Sequence, residues 1–379
     1  MTRIRRIWLD EVLVPAKPDS INSPEINQPL HKLPQGAKRG WTQQFDELSK
    51  TIIQLELDNG LIGLGETYRA VPVLQSRSIA ESLVGLELSG LNLQKLPIPP
   101  SRAYDGFECA LVDASAKLVG QPMYQFLGGK FRDEILCAYW SGHRTTPDAI
   151  RKAEAAVAAG YSHIKFKCDL NDPVVDWCQG IAAACGRSLH VILDPNERFE
   201  LSAHAIRLAQ GLAVVGNLLY LEDPIPRWDM ESWRYMRSKI AVPVSMHISL
   251  PYMEMGQTIQ DLANAVRLGV SDFFNFNGGI YAFRRMAMLA DIFGIPCSHG
   301  SEIDFGVLEA SYLHKAASVP NASLPSDIFG RLIRTHDLLI KPLEFKGGKA
   351  TVPGGPGLGV TLDPDAVRHY GVSHVEITG

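Results

Sequence analysis

The feature that most constrains the fold is a change of rhythm after residue 129. From there short apolar runs alternate with helical stretches of roughly 10–17 residues, the pattern of parallel strands joined by crossover helices. The predicted strands are Leu136–Trp140, His163–Cys168, His190–Pro195, Leu219–Asp223, Pro243–Ile248, Asp272–Phe276, Pro296–His299 and Ser323–Ile328. Helices separate the first seven, and Gly160, Gly186, Gly216, Gly269 and Gly294 stand just before a strand, where a helix must end. Eight parallel strands close a TIM-type barrel. The competing open, doubly wound sheet lacks support, because no GxGxxG turn follows the first strand of any unit.

The first part of the chain has a different character. Ile4–Val14 is predicted as a strand and Pro15–Gly40 as a loop. Thr51–Leu57 and Leu61–Glu66 form a hairpin around Asp58-Asn59-Gly60, residues that tolerate positive φ. Gln75–Leu127 is helix-rich, Phe107–Leu118 reads as a buried helix, and a domain boundary falls near Gly129. With 379 residues, 46% of them hydrophobic, the chain has enough apolar material for a large core. A net charge of −4 with no basic patch excludes a nucleic-acid partner. The six cysteines show no metal or disulfide spacing and are expected as reduced, packed thiols. No signal-type h-region and no 18-residue apolar run is present, so a cytoplasmic protein without a membrane partner is expected.

Function in a parallel barrel collects where strands end at their C-terminal side. Lys165 and Lys167 flank Phe166, and strand alternation puts both ammonium groups on one face. Each disfavours the other's charge, which makes one of them a potential base. The next two strands stop at Asp194-Pro195-Asn196 and Glu222-Asp223-Pro224, neighbouring carboxylates of the kind that hold a hard divalent cation. Helix capping accounts for Asp194 or Asp223 as an alternative, but not for Glu222. His299 closes the seventh strand, where an acid or base opposite the lysines could stand. Asn196, Asn275, Asn277, Glu302 and Asp327 add a polar lining suited to a hydroxylated substrate.

Together these residues resemble the mandelate racemase/muconate lactonizing enzyme branch of the enolase superfamily over nearly the whole chain. Gly63-Leu64-Gly65-Glu66 is similar to that family's GxGE, Phe107–Gly129 to its ALxDxxxKxxGxPxxxLLGG segment, and Lys165-Phe166-Lys167 to its KxK motif. Asp194-Pro195-Asn196 and Glu222-Asp223-Pro224 match its first two metal motifs, and Val352–Val360 its closing PxxPGLGV. The resemblance implies a (β/α)7β barrel (residues 130–340) under an α+β capping domain built from both chain ends (1–129 and 341–379). It also implies abstraction of a proton α to a carboxylate, with Mg²⁺ stabilising the enediolate on Asp194 and Glu222. Lys167 is then the base and Lys165 a charge neutraliser, and the Pro15–Gly40 loop makes Arg39 and Trp41 specificity candidates. A small-molecule carboxylate substrate and a homo-oligomer are the implied partners.

Three departures from the family pattern bear on function. His247 stands where the third metal carboxylate belongs, which lowers the expectation for Mg²⁺ and admits another divalent metal. Asn275 and Asn277 replace the strand-six lysine of epimerases and cycloisomerases. Asp272, the sole candidate to support His299, is one residue out of phase. The sequence therefore favours a lyase that dehydrates a sugar-type acid, with His299 or metal-bound water as acid. A racemase or epimerase using Lys167 and His299, and a metal-poor relative that binds without turnover, are the alternatives.

Overall fold

The computed structural model describes residues 2–26, 49–249 and 258–379, so Arg39 and Trp41 lie outside the described residues. A four-stranded antiparallel sheet has the order β14-β1-β2-β3, formed by β1 (Ile4–Val12), β2 (Lys50–Leu57), β3 (Ile62–Glu66) and β14 (Gly371–Thr378). Both chain ends thus meet side by side, with Ile7 opposite Ile377. The predicted hairpin joins β2 to β3, and Gly60 takes φ +83° in its turn. Helix Tyr104–Leu118 lies directly on β3. A side-chain carbon at Gly63 would sit 2.2 Å from the carbonyl oxygen of Ala110, and one at Gly65 2.0 Å from that of Gly106. The two glycines of the GxGE motif therefore serve close backbone approach.

Three motifs separated in sequence converge on one side chain of that helix. Asp113 accepts hydrogen bonds from the amides of Leu64 and Leu358, each at 2.7 Å, and pairs with Lys117 at 2.7 Å. GLGE, the ALxDxxxK helix and the closing PGLGV segment are thereby tied at a single buried carboxylate.

The second sheet is parallel and seven-stranded. It comprises β5 (Tyr139–Ser141), β6 (His163–Lys167), β7 (His190–Asp194), β8 (Leu218–Glu222), β9 (Val244–Ile248), β10 (Phe273–Phe276) and β11 (Cys297–His299), adjacent in chain order. Helices of 8–14 residues intervene, and Gly216 and Gly269 end two of them in the left-handed conformation. The predicted eighth strand, Ser323–Ile328, is not a regular strand. Its backbone bonds the β11 edge, where the Leu324 and Asp327 amides donate to Cys297 and His299, and the chain just before β5, where the Ser326 amide donates to Leu136 and the Ala138 amide donates to Ser326. The predicted first strand is also divided. Glu134–Leu136 (β4) turns aside to pair with Lys349–Thr351 (β13), which pairs with Phe345–Lys346 (β12), and only β5 joins the parallel sheet.

Alternation sorts the sheet's side chains into two layers. Phe166, Leu193, Leu221, Met246, Phe274 and Phe276 belong to the large core under the helices. Ala138, Ile192 and Tyr220 form a smaller core on the opposite face. Each of these large side chains contributes about 1.5–3 kcal/mol by burial. All six cysteines are free, as expected, and five are buried. Among the described residues no helix is long and apolar enough to cross a membrane.

Candidate active site

Cross-strand register decides which side chains share the site. Lys167 stands opposite Asp194, Glu222 opposite Ser245, and Asn275 opposite His247 on one side and Ser298 on the other. At the ends of these strands Lys165, Lys167, Asp194, Asn196, Glu222, Asn275 and Asp327 form one hydrogen-bonded network. The Lys165 ammonium lies 2.8 Å from Glu222 Oε1, 2.7 Å from Asp327 Oδ2 and 3.1 Å from Asp194 Oδ2. The Asn275 amide donates to the same oxygens of Glu222, at 3.0 Å, and Asp327, at 3.3 Å. Lys167 donates to Asp194 and, at 2.8 Å, to Asn196 Oδ1. Lys165's side chain is 1% exposed and Lys167's 12%, so only Lys167 is accessible from the mouth.

For Lys165 the electrostatics correct the expectation of a lysine pKa depressed by a neighbouring charge. Burial works against the Lys165 charge, but Asp327, Glu222 and Asp194 outweigh it and hold its pKa well above the usual lysine value. Burial pushes Glu222 up to about 8, and its Oε2 is a buried atom with no hydrogen-bond partner. Asp194 is likewise buried, yet the two lysines hold it below the ordinary carboxylate range.

His247 lies at the rim of this network. Burial, then the positive charge of Arg227, keeps its ring well below the ordinary histidine pKa, and its Nε2 is buried without a partner. A side-chain carbon built on Gly300 would fall 2.8 Å from Asn275 Oδ1 and 2.9 Å from His247 Nε2, so that glycine keeps the rim open. Asp223, next to Glu222, does not join the centre. It accepts the His247 amide at 2.9 Å and lies 3.6 Å from Arg227.

His299 requires a correction. Ser298 is the residue in register with Asn275, so His299, one position on, points to the helix side. Its ring stacks on Tyr312 at 3.9 Å and on Phe283 at 4.7 Å, and Nδ1 bonds the Gly300 carbonyl at 2.6 Å. Burial, then the charge of Lys315, holds its pKa well below the ordinary histidine value. Asp272 does not support it either, because Asp272 precedes β10 at the far end from the mouth and pairs with Arg237. Glu302 is also committed elsewhere, to Arg69 at 3.2 Å and to Arg102. Asn277 is buried in the loop after β10, its amide donating to Ile248.

Some mouth residues carry no motif and escape a reading of the sequence. Trp140, in register with Lys165, stacks on Phe329 at 4.8 Å to give an apolar wall with Ile21 and Ile303. Arg144 donates to the carbonyls of Asp19, Ser20 and Ile21, fixing the segment that leads toward residue 26. Only the run of polar residues after the first strand, Ser141-Gly142-His143-Arg144, hints at them.

A divalent ion, which the resemblance implies, does not fit the donors as they stand. One oxygen each of Asp194, Glu222 and Asp327 lies on the Lys165 ammonium, and a histidine, His247, beside Asn275 and Gly300, stands where a third carboxylate would be needed. Among the described residues no group of three or more His, Cys, Asp or Glu has an arrangement that could hold a metal ion.

Comparison with known proteins agrees with the motifs. A family model described as enolase C-terminal domain-like matches residues 148–366. Muconate cycloisomerase 1 of Rhodococcus opacus is 27% identical, over 81% of this chain and 83% of its own. A probable glucarate dehydratase of Streptomyces coelicolor is also 27% identical, over 96% and 90%. Among solved structures, the N-succinyl Arg/Lys racemase of Bacillus cereus superposes with a TM-score of 0.82 at 19% identity, covering 99% of this chain and 100% of that one. These relatives differ in the reaction their names describe, so they establish the family and the fold without selecting one chemistry.

Proposed function

We propose, from the premise that this chain belongs to the mandelate racemase/muconate lactonizing enzyme branch of the enolase superfamily, that it is a hydro-lyase acting on a hydroxylated, sugar-type carboxylic acid. The parallel sheet and the segment 324–327 hydrogen-bonded to β11 and to the chain just before β5 are read as the (β/α)7β barrel, and the antiparallel sheet from both chain ends as part of its cap. The observation that carries the reading is a one-sided mouth. Lys167 is the accessible ammonium, and the side chains facing it from β9 and β10 are an imidazole and an amide, His247 and Asn275.

A single base suits elimination. Lys167, once deprotonated, removes the α-proton, and the C–H pair becomes the new carbon–carbon double bond as the β-hydroxyl leaves. In a syn geometry the same ammonium returns its proton to that hydroxyl, which departs as water, and the enol relaxes to a 2-keto acid. Asn196 holds the Lys167 ammonium at 2.8 Å and orients it. The His247 Nε2 and the Asn275 Oδ1 would hold substrate hydroxyls, while Trp140 and Phe329 exclude water from one wall.

Racemisation on two faces needs a second base opposite Lys167, and His299 points away from that position. The test is incubation with a library of acid sugars in D₂O. Release of a 2-keto acid supports the proposal. Exchange of the α-proton with inversion and no loss of water would replace it by racemisation, and neither event with any acid would favour a binding protein.

A further inference from the structure

We propose that the resident cation of this site is the ammonium of Lys165 itself, and that the protein binds no divalent metal between Asp194 and Glu222. The inference deepens the dehydration reading above and rests on it only for its catalytic meaning. Lys165 Nζ has three carboxylate oxygens, from three different segments of the mouth, within 2.7–3.1 Å. An ammonium offers three donors, and three acceptors saturate it. Asn275 then supplies a further donor to two of the same oxygens, so Glu222 Oε1 and Asp327 Oδ2 are each held by an ammonium and an amide.

A metal ion bound to these oxygens would need distances of about 2.0–2.2 Å, and so would sit within about 3–4 Å of the same ammonium. Repulsion at that range in a buried site is severe. Lys165 would have to leave, yet its side chain is 1% exposed and lies on a strand whose neighbours fix its register. The remaining atoms are few: Glu222 Oε2, Asp223 Oδ2 and His247 Nε2 are buried without hydrogen-bond partners, and Asp223 Oδ2 also lies 3.6 Å from the Arg227 guanidinium. A ring nitrogen in place of a third carboxylate suits Mg²⁺ poorly.

The site's own charges nearly balance without an added ion. Asp194, Glu222 and Asp327 face Lys165 and Lys167, so with every group ionised the two ammonium groups leave one negative charge. Asp327 is the member that makes Lys165 a centre, since it supplies the third oxygen from the segment closing the sheet.

The test uses the full chain freed of metal by EDTA and titrated with Mn²⁺, read by the loss of the free-ion electron paramagnetic resonance signal. Wild type is expected to take up no stoichiometric Mn²⁺ up to about 1 mM and to show the same melting temperature in EDTA as in excess Mg²⁺. Lys165→Met, which leaves the three carboxylates without their central charge, is expected to gain one Mn²⁺ site. Should that variant fail to fold, the wild-type titration decides alone. Stoichiometric Mn²⁺ bound by wild type and lost in Asp194→Asn and Glu222→Gln would overturn the inference. That result would leave the dehydration reading untouched, whereas failure to dehydrate any acid sugar would end the reading and leave the metal result standing.

Discussion

Two buried clusters in this molecule each place a lysine between carboxylates, and they differ in one respect. At the junction of the antiparallel sheet with the helix Gly306–Ala317, Lys50 bridges Glu66 and Asp304, and all three side chains are buried. Every other oxygen there is used. Glu66 accepts the Phe305 and Leu308 amides at 2.8 and 2.9 Å, and Asp304 accepts Ser301, the Glu302 amide and Tyr312 at 2.8–2.9 Å. At the C-terminal ends of the parallel strands, Glu222 Oε2 and His247 Nε2 have no hydrogen-bond partner, and Lys167 retains a path to solvent. A saturated network holds two layers in register. An unsaturated one leaves donors and acceptors for a ligand, at a cost in stability.

The largest expected effect separates the two clusters by rate. Lys167→Met should slow α-proton exchange in D₂O by about 10³-fold or more while the melting temperature hardly moves, because the change falls on the unsaturated side. An exchange rate within tenfold of wild type would show that the mouth lysine is not the base. Lys50→Met should do the reverse. It strands two buried carboxylates and should cost about 3–5 kcal/mol of stability in urea unfolding, with little change in turnover per folded molecule. A loss below about 1 kcal/mol would remove the contrast on which the comparison rests.

A smaller effect tests the orientation of His299. Phenylalanine retains the stacking on Tyr312 and Phe283 and loses the bond to the Gly300 carbonyl, so His299→Phe should cost about 1–2 kcal/mol and leave exchange within a few-fold. Abolished exchange in a folded variant would return His299 to the mouth. The smallest effect concerns Glu108, a buried carboxyl outside both clusters that accepts the Ile280 amide. Burial, followed by the charge of Asp105, raises its pKa to about 8. Its neutral form favours the fold, so the stability it contributes is full below the ordinary carboxylate pKa and is lost as pH rises toward 8. Glu108→Gln keeps an acceptor for Ile280 and should flatten the fall in melting temperature between about pH 5 and 8. Parallel wild-type and variant profiles would contradict that assignment.

The parallel sheet and the hairpin were legible in the sequence because their signals are local. A period of two, an Asn-Gly turn and a glycine after five of the six intervening helices act within a few residues of themselves. The alternation that puts Lys165 and Lys167 on one face is equally local, and so are the strand ends at Asp194 and Glu222. The close packing behind the GxGE glycines and the convergence of three motifs on Asp113 depend on residues up to 245 positions apart, which pattern alone does not connect.

What only the tertiary structure decided is parity and partnership. His299 follows a residue in register with Asn275, and one step along a strand reverses its face, so an attractive address at a strand end became a helix-side core position. Glu302 stands three residues later with a carboxylate that looked free, but Arg69 and Arg102 reach it from the other layer. Asp327, distinguished in the sequence only by its polarity, completes the cage around Lys165. Sequence determines which chemical groups a strand can offer, because alternation is a property of the backbone. Which of them meet is set by register and by the segment that bridges the sheet's edges, and both are long-range properties of the folded chain.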